Sequence, residues 1–386
     1  MQLIMMGTGP FAVPLFRGLY KTRHRVAALV TAPLRNHRGK PVEPISSVRD
    51  IAREHGTPIL EPEDVNLPDA QSRLAEYNAD LLVVCDYGQI LSPATLATAR
   101  RGGINLHASL LPKYRGAAPI NWAIYNGDTE TGVTVLEITP WIDAGACLAQ
   151  TRVVIGPDET AAELEVRLAD IGARLTCEMI DLLESGHVQA IPQDASLVSK
   201  APRLKKTDGA IDWSRSAAAI KNQIRAMEPW PKTYTFWHRP DGPPVRLILG
   251  PASVVESQDA AKTRDRLSGG ADISVCPACG ISHGRQECLP HCGEKHGLVA
   301  AAPGTVLEAS GDRLVISAGA DAVMPASVQP SGKRLMPIAE FLRGYHVRPG
   351  DRIGAEAGPE GAKLESPGQR PGYTAGTPND SRPNGP

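Results

Sequence analysis

Apolar residues in the first half of the chain come in short, unbroken runs. Leu3-Ile4-Met5-Met6, Val26-Ala27-Ala28-Leu29-Val30 and Leu81-Leu82-Val83-Val84-Cys85 are too short for helices and show no polar face. Runs of this kind are strands covered on both sides, as in a parallel sheet. Between them the spacing turns helical, through Leu15, Leu19 and Tyr20 and again from Ile45 to His55. A helix-like stretch from Ser92 leads to a further strand at Gly103-Ile104-Asn105-Leu106-His107. Thr160 with Glu163 three positions later is a capping box that opens another helix. Strand and helix in alternation predict an α/β fold, a Rossmann-like doubly wound parallel sheet.

The pattern changes after about residue 191. A polar, basic stretch over 192–209 reads as a linker, and a helix is expected from Ser214 to Met227, broken by Pro229-Trp230-Pro231. Short strands follow, such as Val245-Arg246-Leu247-Ile248-Leu249 and Arg313-Leu314-Val315-Ile316, with turn residues between them. This texture predicts a small OB-fold-like β-barrel over 210–350, interrupted by a polar, cysteine-bearing insertion at 257–298. Residues 351–386 are rich in Gly and Pro and read as a disordered tail. The expected domains are therefore 1–191, the linker 192–209, and 210–350 with its insertion.

Composition narrows the function. The chain has 386 residues and a net charge of −1, from 41 Lys plus Arg against 42 Asp plus Glu. That balance argues against a histone-like grip on nucleic acid through bulk charge, though not against a local basic site, and an aromatic share of 4% argues against a base-stacking platform. No apolar run approaches the roughly 20 residues of a membrane span, and the start has no basic, signal-like region. The expectation is a cytoplasmic monomer without membrane or DNA partners. Seven cysteines, an odd number in such a chain, argue against a disulfide framework.

Three places could carry chemistry. Gly7-Thr8-Gly9-Pro10-Phe11-Ala12 fits a dinucleotide fingerprint, but the second strand ends Val30-Thr31-Ala32-Pro33 without the carboxylate that a ribose needs. A tight glycine turn is the plainer reading. Asn105 and His107, two apart on a strand, project from one face while Ile104 and Leu106 face the other. A carboxamide N–H beside an imidazole suits acyl-type transfer, one holding a developing oxyanion and the other handling a proton. The bland alternative is a polar pair satisfied by backbone. Asp143 follows the strand Gly132–Ile138 and could orient that imidazole, or could bond its own turn ahead of Gly145.

The Gly7–Ala12 turn, Asp86-Tyr87-Gly88-Gln89-Ile90-Leu91, Asn105 to Gly116 and Gly132 to Gly145 together resemble the folate-dependent formyltransferases. Ala201-Pro202-Arg203-Leu204-Lys205-Lys206, Ile211-Asp212-Trp213, Pro229-Trp230-Pro231 and Gln329-Pro330-Ser331-Gly332-Lys333 resemble the linker and C-terminal domain of the branch that acts on methionyl-tRNA. The resemblance implies 10-formyltetrahydrofolate as formyl donor and the α-amine of methionyl initiator tRNA as acceptor. It makes Asn105, His107 and Asp143 the catalytic set. It gives folate contacts to Ser109, Leu110, Leu111 and Pro112 and to the turn of Asp86, Tyr87, Gly88, Ile90 and Leu91. It also makes Thr31 to Ser47 a loop reaching the tRNA acceptor end, with Arg35, Arg38 and Lys40 on phosphates and His37 beside them, joined by Lys205 and Lys206 of the linker. The nearest alternative acceptor is a sugar nucleotide or a purine precursor.

One segment departs from that pattern. Cys276-Pro277-Ala278-Cys279, followed by Cys288 and Cys292, has the character of a compact structural zinc site, with a thiol-bearing loop as the alternative. Such a metal would have no part in formyl transfer. Two other classes fit less well: a nicotinamide oxidoreductase, disfavoured by the missing carboxylate, and a non-catalytic zinc-containing RNA-binding module, which leaves Asn105, His107 and Asp143 without a purpose.

Overall fold

The computed structural model describes residues 1–33, 47–256, 274–275, 282–283 and 301–355. The expected tRNA loop residues Arg35, Arg38 and Lys40 lie outside the described residues, as do Cys276, Cys279, Cys288, Cys292 and residues 356–386 of the expected tail. The start of that tail is not disordered: Arg352–Gly354 is a strand paired with Thr233–His238, because Ile353 is buried in the C-terminal core.

The apolar runs become the strands of one seven-stranded sheet. Its strands are β1 (Gln2–Met6), β2 (Arg25–Val30), β3 (Ile59–Leu60), β4 (Leu81–Val84), β5 (Gly103–His107), β6 (Glu130–Glu137) and β7 (Cys147–Val154). The order is β3-β2-β1-β4-β5-β6-β7. The first five run parallel, as expected for a doubly wound sheet, and β6 and β7 join antiparallel. The antiparallel edge comes from the chain's route. Between β5 and β6 runs α5 (Pro119–Tyr125), and β6 then returns to pair with β5, setting Asn105 opposite Leu136 and His107 opposite Thr134.

Helices cover both faces of the sheet, among them α1 (Ala12–Leu19), α2 (Val48–Glu54), α3 (Pro68–Ala75) and the short α4 (Pro93–Leu96). The longest is α6 (Ala161–Ser185), opened by the predicted capping box of Thr160 and Glu163. The Asp50 and Glu163 carboxyls, each accepting a backbone N–H in such a box, are held below their usual pKa range. One buried cluster joins Leu3, Met5, Leu15, Phe16, Val83, Ile104 and Leu106 to α6 through Leu164, Leu168 and Ile180. At full burial each such side chain contributes about 1.5–3 kcal/mol.

The second half is built from antiparallel strands. After α7 (Ala217–Ala226), capped by Ser216, come β8 (Thr233–His238), β9 (Val245–Leu249) and β10 (Ala252–Val255). A two-strand pair follows, β11 (Ser274–Val275) and β12 (Ser282–His283). Next are β13 (Val306–Ser310), β14 (Arg313–Ser317), β15 (Ala322–Pro325), β16 (Ser327–Pro330), β17 (Met336–Pro337), α8 (Ile338–Gly344) and β18 (Arg352–Gly354). A four-stranded sheet, β10-β15-β14-β13, and a five-stranded sheet, β17-β16-β9-β8-β18, share a core that includes Trp213, Trp237, Leu247, Ile316 and Phe341.

Polar bonds fasten this half to the first. Buried Arg225 of α7 donates to the carbonyls of Gly156 and Glu159, each at 3.0 Å. Asn121 Nδ2 of α5 donates to the Ala226 carbonyl at 2.7 Å, and Arg215 lies 4.5 Å over the ring of Tyr125.

Candidate active site

A cavity of about 460 Å³ opens beside the carboxyl ends of β4 and β5. In open α/β sheets ligands bind at such ends, and this volume falls within the usual range for small-molecule sites. Asn105, His107 and Asp143 all line it, together with Asp86, Tyr87, Gly88, Ile90 and Leu91.

The three catalytic candidates converge on one carboxylate. Asn105 Nδ2 donates to Asp143 Oδ1 at 3.3 Å, and the Gly116 N–H donates to Asp143 Oδ2 at 2.9 Å. His107 Nδ1 lies 3.6 Å from the same Oδ2, an ion-pair distance but longer than a direct hydrogen bond. The other ring nitrogen, Nε2, is 2.9 Å from the Tyr114 carbonyl, which can only accept. Nε2 therefore carries a hydrogen, and Nδ1 is the nitrogen left for exchange with the cavity.

Local sequence explains each placement. Strand alternation sends Asn105 and His107 toward the cavity, while Leu106 packs on Gly172 of α6, leaving no room there for a side chain. Tyr114 has φ of 63°, which aims its carbonyl at the imidazole, and its hydroxyl donates to Asp128 Oδ2 at 3.0 Å. Asp143 itself has φ of 49°, and its side chain reaches Gly116 rather than its own turn. His107 and Asp143 expose only 6% and 12% of their side chains, so their interaction is poorly screened by water.

The remaining expected folate residues divide into two groups. The turn from Asp86 to Leu91 forms a wall of the cavity, with Tyr87 and Leu91 buried and Ile90 54% exposed. Ser109, Leu110, Leu111 and Pro112 do not line it. Ser109 is fully buried and donates to the Lys113 carbonyl, while Thr134 Oγ1 donates to the Ser109 carbonyl, both at 2.6 Å. In this structure these residues shape the turn that carries Tyr114. Lys205 and Lys206 are exposed in the linker and make no part of the cavity wall.

The cavity also brings in Phe11, Trp141 and Arg203, which lie in the quoted motifs but were given no role there, and Asn121 and Glu165, which no motif marked. Glu165 sits in the second turn of α6, on the face where helical spacing turns inward, which is the one signal that could have found it. Desolvation, then the nearby Asp86 charge, raises its pKa. Asp86 is itself raised by desolvation around its carboxyl. That carboxyl occupies the space where a side chain at Gly9 would stand, with Oδ2 at 1.7 Å from an ideal Cβ there. The glycine turn thus accommodates Asp86. Thr8 Oγ1 accepts the Ala32 N–H at 3.2 Å, so the end of β2 closes over the turn with no acidic side chain for a ribose.

Two family models match the chain: Formyl transferase over residues 1–180, and Formyl transferase, C-terminal domain, over residues 203–346. A methionyl-tRNA formyltransferase from Geobacter sulfurreducens is 36% identical over 93% of this chain and 98% of its own. One from Rhodopirellula baltica is 38% identical over 92% and 96%. Among solved structures, a sugar 3N-formyl transferase crystallised with dTDP and 5-N-formyl-THF is similar in fold, at a TM-score of 0.54 and 17% identity, covering 86% of this chain and 99% of that one. With both halves matched and relatives aligned almost end to end, the chain belongs to the formyl transferase family, in its methionyl-tRNA formyltransferase branch.

Proposed function

We propose that this formyltransferase moves the formyl group of 10-formyltetrahydrofolate to the α-amine of methionyl initiator tRNA, with Asn105, His107 and Asp143 around the reacting carbon. The observation that carries the reading is the meeting of Asn105 and His107 on a single Asp143 carboxylate in the cavity wall. The amine nitrogen bonds to the formyl carbon, and the carbonyl electrons move onto oxygen. Asn105 N–H and a protonated His107 stabilise that oxyanion. The Asp143 carboxylate, 3.6 Å from Nδ1, orients the imidazole. As the oxyanion collapses, the bond to the folate nitrogen breaks. The proton lost by the amine passes to that nitrogen through His107 Nδ1 or water.

The turn from Asp86 to Leu91 supplies backbone groups to the pterin, and Ser109 to Pro112 supports the folate side from behind. Lys205 and Lys206, with Arg35, Arg38 and Lys40, would meet the phosphates of the tRNA acceptor end. Action as a monomer in the cytoplasm, where initiator tRNA is charged, belongs to the same reading. The zinc reading of Cys276, Cys279, Cys288 and Cys292 rests on their spacing, and metal analysis of the reduced protein decides it.

The test is formylation of methionyl initiator tRNA with 10-formyltetrahydrofolate by wild type and Asn105→Ala. Losing one oxyanion donor should lower kcat by about 100- to 1000-fold. Full activity in Asn105→Ala would remove it from the catalytic set. Transfer to an amino sugar nucleotide, with none to the tRNA, would overturn the acceptor.

A further inference from the structure

The chain leaving α6 runs back across the catalytic loops. Arg115 N–H donates to the Ser199 carbonyl at 2.9 Å and Ala201 N–H to the Arg115 carbonyl at 2.7 Å. Tyr114 N–H donates to Ser199 Oγ at 2.8 Å. Within this stretch Gln193 uses both ends of its amide. Its Nε2 donates to the carbonyls of Asp143 and Gly145, each at 2.8 Å. Its Oε1 accepts from Arg115 Nε at 3.0 Å and from a second guanidinium nitrogen at 2.7 Å. The amide orientation is forced, because carbonyls only accept and a guanidinium only donates.

We infer that Gln193 is a positioning residue for formyl transfer, locking the Asp143 loop to the Tyr114–Gly116 segment so that one carboxylate meets Asn105, His107 and Gly116 together. The two segments it joins are the two that set the site. One carries Asp143, in a left-handed backbone that persists only where its surroundings hold it. The other carries the Tyr114 carbonyl that takes the His107 hydrogen and the Gly116 N–H that holds Asp143. One direct bond, Gly116 N–H to Asp143 Oδ2, joins the two segments at the carboxylate, and Gln193 ties them a second time through the Asp143 and Gly145 carbonyls and the Arg115 guanidinium. Two donors and two acceptor directions are all used, a set that no other side chain of this length offers. Glutamate would turn lone pairs toward two carbonyls, and methionine would satisfy neither side.

The inference rests on the proposed catalytic role of Asp143, and the experiment separates the two. In the full chain, Gln193→Met and Gln193→Glu are compared with wild type, Asp143→Asn and the Asp143→Asn/Gln193→Met double variant. The readouts are kcat, KM for 10-formyltetrahydrofolate and for methionyl-tRNA, and thermal unfolding. Misplacing a catalytic group should lower kcat by about 10- to 100-fold in both Gln193 variants, with each KM within about threefold of wild type. The double variant should be no slower than Asp143→Asn alone, since the two act through one carboxylate. A wild-type kcat in Gln193→Met beside an inactive Asp143→Asn overturns the inference alone. So does an additive loss in the double variant, or the failure of both Gln193 variants to fold, which would make the residue a structural tie. A wild-type kcat in Asp143→Asn overturns the catalytic reading, and this inference with it.

Discussion

Gly116 offers a perturbation whose size can be worked from the structure. Its φ is +125°, and a Cβ added there would stand 2.5 Å from the Ala201 carbonyl oxygen and 3.1 Å from its carbon. Both contacts are backbone, so no flexible side-chain end can move aside. The Gly116→Ala substitution carries about 1–3 kcal/mol of backbone strain. Forcing the Ser199–Ala201 segment away adds roughly 1–3 kcal/mol, as other overpacked sites do. Gly102→Ala is the control, at φ of +65° with nothing within 4 Å of its Cβ, and should cost about 1–2 kcal/mol from backbone conformation alone. At about 2–4 °C of Tm per kcal/mol, Gly116→Ala should melt several degrees below the control. It should also lose kcat, because the Gly116 N–H is a donor to Asp143. The assays are thermal unfolding and formylation kinetics on both variants. Equal Tm losses, with kcat unchanged in Gly116→Ala, would refute the claim that the 199–201 backbone presses on this glycine and through it on the site.

Other outcomes follow from charge. Burial, then the Asp86 charge, puts the Glu165 pKa above its unfolded value. As pH rises from about 4.3 through the raised native pKa, the native state gives up a proton it holds more tightly than the unfolded chain does, so stability falls across that window and stays lower above it. Glu165→Gln should therefore melt higher than wild type at pH 7.5, with the gain shrinking toward pH 4. A constant difference across that range would contradict the sign. The Lys205→Ala/Lys206→Ala variant should bind methionyl-tRNA more weakly and with a salt dependence shallower by about one unit per lost phosphate contact, while folate binding is unchanged. An unaltered salt slope in filter binding would take both lysines out of the interface.

Much of this protein was legible from local pattern. Buried parallel strands must be apolar on both faces, so Leu3–Met6 and Leu81–Val84 announced themselves. A capping box satisfies backbone groups within three residues, so Thr160 and Glu163 marked where α6 begins. The two-residue repeat of a strand places Asn105 and His107 on one side of β5 from the sequence alone. These features depend on neighbours in sequence, which the chain's own order supplies.

Tertiary structure decided the rest. That β6 and β7 turn antiparallel, that Ser109 to Pro112 brace a turn instead of lining the cavity, and that Glu165 and Arg203 join its wall all depend on how distant segments pack. Gln193 is the clearest case. It sits in what reads as a polar linker, yet its partners lie 50 and 78 residues away. A hydrogen bond between side chain and backbone leaves no periodic trace along the chain. Its direction is set only when two loops close on each other, so no spacing rule could have singled this residue out.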